Sequence, residues 1–243
     1  MFVYMLDFIL NLDERLMLFF NGFHNEFFDE FMYLTSTKFI WIPMYAVLFL
    51  LIFNISRIKS LILVILSIIL LIFLCDQTCS NVIRPLICRL RPSNPDNPIS
   101  EYIHIVNNYR GGRFGFPSCH AANSFGLAMF LTLLLKRKKI SVFIWLWAGL
   151  HSYSRIYLGV HYPGDIVAGL ILGCICAYIC YMLLKTTIRL IGDIKEKIEF
   201  KPGWNYSLIA TQKHLIYNEN YLIGIGGMTL FSISLVCFFY DMF

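Results

Sequence analysis

Charge is what this sequence has least of: Asp, Glu, Lys and Arg supply 14% of its 243 residues, where soluble domains carry about a quarter. Hydrophobic residues supply 58%, more apolar surface than a soluble chain of this length can hide in one interior. Lys/Arg runs interleaved with surface aromatics are missing, which sets nucleic acid aside as a partner. No C-x-x-C pair with zinc-type histidine spacing occurs among the eight cysteines, so no metal site is expected from them. Cys75, Cys79, Cys174, Cys176, Cys180 and Cys237 lie in apolar stretches, where a thiol packs as a small hydrophobe. Met1 to Phe20 lacks the basic region and small-residue cleavage site of a signal peptide. Asp7, Asp13, Glu14 and Arg15 interrupt it, and an amphipathic helix lying at a membrane interface is expected there. Neither internal repeats nor low-complexity tracts are evident.

What the sequence has in abundance is long apolar runs. A helix needs about 20 mostly apolar residues to cross a bilayer. Segments 166–184 and 221–240 qualify and carry no charge, while 39–55 and 60–75 are slightly short. Segments 121–135 and 140–154 reach spanning length only if the polar residues at their ends are helical and sit at one membrane surface. The expected fold is all-α: a polytopic membrane bundle of about six spans with an interfacial helix ahead of it. Residues 1–34 form the interfacial segment, 35–187 the transmembrane core, and 188–243 a cytoplasmic loop and last span. Three loops stand out: 92–117, rich in Pro, Asn and Gly; 155–163; and 185–219, long and charged.

Orientation follows from the basic residues. Arg57 and Lys59, the run Lys136 to Lys139, and Lys185, Arg189, Lys195, Lys197, Lys201 and Lys213 fall on one side if spans alternate. That side should be cytoplasmic, which turns 92–117 and 155–163 outward, toward a periplasm where one exists.

The outer ends of the spans carry the chemistry. Arg84 and Arg91 are seven residues apart, about two turns if that segment is helical, with Pro92 ending it. Pro117-Ser118-Cys119-His120 precedes the third span, and Ser154-Arg155, His161 and Asp165 flank the turn between the fourth and fifth. Guanidinium forks match phosphate oxygens bidentately, and three of them can neutralise a phosphoryl dianion. The Ser118 hydroxyl and the N–H groups opening the third span add donors. Two histidines allow one to attack phosphorus and the other to protonate the leaving oxygen. Asp165, four residues after His161, can accept its Nδ1–H and so fix the tautomer.

These motifs resemble those of the type 2 phosphatidic acid phosphatase (PAP2) superfamily, which shares its core with vanadium haloperoxidases. The family patterns K-x6-R-P, P-S-G-H and S-R-x5-H-x3-D read here as Arg84-x6-Arg91-Pro92, Pro117-Ser118-Cys119-His120 and Ser154-Arg155-x5-His161-x3-Asp165. The resemblance implies His161 as nucleophile, Asp165 as its partner and His120 as general acid. It implies a phosphate held by Arg84, Arg91, Ser118, the Cys119 N–H and Arg155, with no metal and no cofactor. Two positions depart from the pattern: Arg84 stands for Lys, and Cys119 for Gly. A side chain at residue 119 would cost about 1 kcal/mol or more if the backbone there needed a positive φ.

The implied activity is hydrolysis of a phosphomonoester or pyrophosphate on a lipid head group in a bacterial inner membrane, with the site facing out. Lipid A, undecaprenyl diphosphate and phosphatidylglycerophosphate are the implied substrates. Leu12-Asp13-Glu14-Arg15-Leu16 followed by Phe19-Phe20-Asn21-Gly22 is similar to small bacterial members acting on the first two, and lipid A ranks first. A vanadate-dependent oxidase and a non-catalytic lipid-binding or transport protein are the rivals. The apolar spans speak against the first, and the paired histidines with their carboxylate against the second. The oligomeric state is not legible.

Other polar residues have plainer expectations. Asp76 should have a structural partner, and Arg89 and Arg110 are as readily solvated as phosphate-binding. Arg110 and Arg113, beside Gly111 and Gly112, could form a lid gathering anionic substrate. His151 and Tyr153 should pack; Trp41, Trp145 and Trp147 belong to spans or interface belts; His24, His104 and His214 read as surface.

Overall fold

Away from water a chain must satisfy its own backbone, which leaves helix as the simplest structure for these apolar runs. The computed structural model describes residues 2–55, 58–198 and 220–240. Among the described residues it is all-helical, apart from loops and an isolated antiparallel bridge between Leu90 and Phe114. The helices are α1 (Phe2–Asn21), α2 (Glu26–Ser36), α3 (Ile42–Ile55), α4 (Ile58–Gln77), α5 (Arg84–Ile87), α6 (Cys119–Leu135), α7 (Lys138–Tyr157), α8 (Pro163–Ile198) and α9 (Asn220–Tyr240). A π-helical stretch, Thr78–Ile83, joins α4 to α5.

Helix α6 is the centre of the bundle, with α4, α7 and α8 packed around it. Ala121, Ala122, Ala128, Phe130 and Leu131 are among its buried residues, on several faces. Small residues let α8 come close. A Cβ on Gly126 would lie 3.1 Å from the Gly173 carbonyl oxygen, and one on Gly169 would lie 2.5 Å from that of Ser118. This small-residue crossing suits helices packed within a membrane, and it fixes the N-terminus of α6 against that of α8.

The outer faces are apolar. Val167, Ile171, Ile175, Tyr178 and Met182 on α8, and Ile62, Leu66, Ile69 and Phe73 on α4, are exposed at helical spacing, as lipid-facing stripes require. Ser60–Ile87, Pro163–Ile191 and Asn220–Phe238 are each long and apolar enough to cross a membrane. The chain is therefore a multi-pass membrane protein. The run expected at 39–55 differs: Glu26–Ser36 and Phe39–Phe53 qualify together, bent by 73°. The two short runs gain the ends they needed, since α6 starts at Cys119 and α7 continues through Arg155 to Tyr157.

Two loop boundaries shift. The outer turn is 158–162 rather than 155–163, because α7 keeps Arg155 in its last turn. The charged segment expected as a loop from residue 185 is helical to Ile198, since no proline lies between Pro163 and Pro202 to break the pattern; 199–219 lie outside the described residues. Helix α1 is amphipathic as expected, but its buried stripe is Asp13, Met17 and Asn21 at four-residue spacing. That face meets α7 and α8.

The α6–α8 crossing has a direct check. Gly173→Ala forces its new methyl against the Ala122 carbonyl and should cost about 1–3 kcal/mol, as overpacking does. Gly149, with no atom near its missing Cβ, should accept alanine without loss. Thermal unfolding in detergent distinguishes them, and equal midpoints for the two variants would contradict the crossing.

Candidate active site

Four chain segments meet at one end of the bundle: the stretch after α5, the start of α6, the end of α7 and the start of α8. The first is not the continuous helix that would place Arg84 and Arg91 two turns apart. Helix α5 stops at Cys88, which adopts φ 50° and donates its N–H to the Arg84 carbonyl at 2.9 Å. Such a left-handed residue closes a helix. The chain then runs back, and the Arg91 N–H bonds to the Arg113 carbonyl at 3.2 Å. Arg91 reaches the site by this reversal and not by helical periodicity.

His161 and Asp165 are likewise not one turn apart on a helix, because α8 begins at Pro163. Asp165 sits in its first turn, where Oδ2 accepts from the Tyr162 N–H at 3.0 Å, a capping arrangement. The same oxygen lies 3.3 Å from Nδ1 of His161. On the other side of the ring, Nε2 is 3.0 Å from Nη1 of Arg91. A guanidinium only donates, so Nε2 presents its lone pair to Arg91 and the ring proton sits on Nδ1, toward Asp165. Gly115 makes room for this: a Cβ there would lie 3.0 Å from Asp165 Oδ2 and 3.5 Å from His161 Nδ1.

His161 is 1% exposed. Burial, reinforced by the nearby charges of Arg91, Arg155 and Arg84, holds its pKa well below the ordinary histidine value. The ring is therefore neutral at physiological pH. Arg91 is also buried, and donates through Nε to Phe114 O at 3.2 Å and through Nη1 to Val160 O at 3.1 Å. Burial, then Arg84 and Arg155, lower its pKa to about 10, which leaves it cationic at neutral pH.

Arg84 donates through Nη2 to Pro117 O at 3.2 Å, and Arg155 through Nη2 to the Tyr109 hydroxyl at 3.0 Å. The Nε atoms of both are buried without a hydrogen-bond partner among the described residues. A buried unpaired donor costs about 1–3 kcal/mol, and an anion accepting from both guanidinium groups would satisfy them. Ser118 caps α6, its Oγ accepting from the Ala121 N–H at 3.4 Å while its own N–H bonds to Asp165 O at 3.0 Å. Cys119, first residue of that helix, is not among the described residues with positive φ, so replacing Gly there brings no backbone strain. Its Sγ lies 3.4 Å from Ser80 Oγ.

His120 follows, its ring stacked on His151 with centroids 5.7 Å apart, and His151 in turn on Trp147 at 5.4 Å. Arg155 and His161 are both close enough to act on the His120 ring electrostatically. The residues selected from the sequence thus gather at one end of the bundle, rich in cations and donors. Ligand-like clusters of three or more His, Cys, Asp or Glu do not occur among the described residues.

The sequence left several neighbours unrecognised. Arg89 is neither a solvated surface residue nor left open to phosphate; its Nη1 bonds Asp165 Oδ1 at 3.0 Å and its Nη2 bonds Asp13 Oδ2 at 2.7 Å. Three adjacent charged residues in an apolar helix were the available signal, since a carboxylate in such a place is usually paired. Tyr109, on Arg155, gave no signal. Asp76 has the structural partner expected, accepting from Asn123 Nδ2 at 2.9 Å. Arg110 is tied to Ser93 O at 2.7 Å and Arg113 to Asp96 at 3.6 Å. His104 is not free at the surface: it pairs with Asp29 at 2.8 Å and stacks on His24 at 3.8 Å. His214 lies outside the described residues.

The chain is similar to known proteins over most of its length. The sequence profile of the PAP2 superfamily matches residues 60–189. Lipid A 4'-phosphatase of Bacteroides thetaiotaomicron is 46% identical over 231 residues, 94% of this chain and 99% of that one. Lipid A 4'-phosphatase of Porphyromonas gingivalis is 34% identical over 176 residues, 72% of this chain and 74% of that one. In fold, the chain is similar to the crystal structure of a transmembrane PAP2-type phosphatidylglycerolphosphate phosphatase from Bacillus subtilis. That match has a TM-score of 0.50 at 22% identity, covering 79% of this chain and 88% of that one. With over half its length matched by the family profile, and with the three motifs brought to one end of the bundle, this chain belongs to the PAP2 superfamily.

Proposed function

We propose that the protein is a membrane lipid phosphatase that hydrolyses a phosphomonoester of lipid A, with the 4'-phosphate favoured, through a phosphohistidine on His161. The observation that carries this reading is the state of the His161 ring: neutral, its proton held toward Asp165 and its Nε2 lone pair turned to the Arg91 guanidinium. A phosphoryl group entering between ring and guanidinium puts phosphorus at the nucleophilic nitrogen and its oxygens on a cation. The choice of lipid A rests on the 46% identity to the Bacteroides enzyme across nearly the whole of both chains.

In the first step Nε2 attacks phosphorus and the bond to the lipid oxygen breaks, with His120, protonated once the phosphate dianion offsets the arginine charges around it, giving that oxygen its proton. Arg84, Arg91 and Arg155, with Ser118 and the N–H groups at the start of α6, carry the charge of the equatorial oxygens. Asp165 stabilises the imidazole as it becomes cationic. In the second step His120 takes a proton from water, whose oxygen displaces the histidine and releases inorganic phosphate. Positioned guanidinium groups supply the positive charge, so no metal is required. Lys136 to Lys139 join α6 and α7 at the end opposite the site; by the positive-inside rule that end is cytoplasmic. The protein then sits in the inner membrane with its site toward the periplasm.

Phosphate release from detergent-solubilised protein should be fastest with lipid A bisphosphate in a panel with undecaprenyl diphosphate, phosphatidic acid and phosphatidylglycerophosphate, and should persist in EDTA. His161→Ala should abolish it, while His120→Asn should lower kcat by about 10²–10⁴ with little change in KM. Preference for undecaprenyl diphosphate would reassign the substrate, loss in EDTA would mean a metal mechanism, and full activity of His161→Ala would mean a different nucleophile.

The tautomer has its own test. Because the folded pKa of His161 is depressed, the ring should stay neutral as pH falls through the ordinary histidine range. Nitrogen shifts of labelled His161 should report a proton on Nδ1 at neutral pH and no titration down to about pH 6.5, the unperturbed value. A midpoint at or above that value contradicts the proposed nucleophile state.

A further inference from the structure

Helix α1, which the sequence presents as an anchor lying on the membrane, reaches the reacting histidine through one side chain. Asp165 has two oxygens. Oδ2 receives His161 Nδ1 and the Tyr162 N–H, and Oδ1 receives Nη1 of Arg89 at 3.0 Å. The other terminal nitrogen of Arg89 bonds Oδ2 of Asp13 at 2.7 Å, and its guanidinium lies 3.8 Å over the Tyr162 ring. The remaining oxygen of Asp13, Oδ1, accepts from the Gly164 N–H at 2.7 Å. Gly164 lies between His161 and Asp165 in sequence, and a Cβ there would come within 2.6 Å of Asp13 Oδ2. Asp13 therefore holds the turn bearing the two residues by its backbone, and the Asp165 carboxylate by way of Arg89.

We infer that Asp13 and Arg89 are positioning residues for the phosphatase reaction, acting on His161 through Asp165; this rests on the phosphohistidine reading above. Two physical effects are involved. Arg89 fixes the rotation of Asp165, so that Oδ2 stays on the imidazole N–H. Asp13 sets the charge: Asp13, Arg89 and Asp165 together carry one net negative charge, which complements the positive imidazole formed when Nε2 is phosphorylated. Without Asp13, Arg89 cancels Asp165 and the cationic ring loses its counter-charge. Misplacing a catalytic group by about 1 Å can cost about 10²-fold in rate, so a part of that size is at stake in a contact made from a separate helix.

The test uses the full-length protein in detergent micelles with lipid A bisphosphate, measuring kcat and KM separately. Asp13→Asn keeps an oxygen for the Gly164 N–H and removes the charge. It should lower kcat about 10- to 100-fold with KM little changed, the pattern of a lost transition-state interaction. Asp13→Glu should recover part of the loss. Arg89→Gln should be at least as slow, and adding Asp13→Asn to it should cause little further loss, because the two act as one unit. Asp7→Asn, the same charge change at an exposed position of α1, should leave kcat and thermal stability as they are. An unchanged kcat in Asp13→Asn overturns the inference, as does multiplication of the Asp13 and Arg89 effects, or an equal loss in Asp7→Asn. Full activity of His161→Ala in the same assay would instead overturn the phosphohistidine reading on which the inference stands.

Discussion

A carboxylate with no exposed surface at a membrane boundary persists only if donors surround it, and the site is arranged to meet that requirement for Asp165. An imidazole N–H, a backbone N–H and a guanidinium take its two oxygens. Each donor comes from a different constraint: the ring from the turn before α8, the N–H from the cap of that helix, the guanidinium from the reversed segment after α5. Satisfying Asp165 therefore assembles the site, and the same contacts leave the far nitrogen of His161 facing Arg91.

Helix packing makes this possible with few charges. The close crossing of α6 and α8, allowed by Gly126, Gly169 and Gly173, brings two helix N-termini to one place. Ser118 opens one helix and Tyr162 the other, and the Ser118 N–H bonds to the Asp165 carbonyl across the gap. Arg155 closes α7 beside them and is buried. Backbone N–H groups and three arginines thus converge on a region whose outer walls are lipid-facing. Burial there strengthens every charge interaction relative to water, which explains the depressed basicity of His161 and, on the proposed reading, would raise the value of each guanidinium to a phosphoryl group.

Much of this was legible in the residues. Position at the ends of apolar runs, which must share a membrane face if spans alternate, together with the resemblance to the PAP2 patterns, selected Arg84, Arg91, Ser118, Cys119, His120, Arg155, His161 and Asp165. The path of the backbone between them was not legible. Arg84 and Arg91 look helically related, yet Cys88 turns left-handed and the chain folds back; cysteine has no turn signature to announce this. His161 and Asp165 look like neighbours on a helix, yet Pro163 starts the helix between them, as proline commonly does at a first position. The contacts of Asp13 were hidden because sequence patterns are local, and its partners Arg89 and Gly164 are distant in the chain. Charges inside an apolar helix said only that partners existed.

The central claim is that phosphate passes through the imidazole of residue 161, and trapping the phosphorylated protein tests it most directly. Brief reaction with radiolabelled lipid substrate, quenching in alkali and peptide mapping should place an acid-labile, alkali-stable label on His161, with the phosphorus on Nε2. Label carried by His120, a serine or a carboxylate, or turnover with no labelled protein at any time point, would contradict the account.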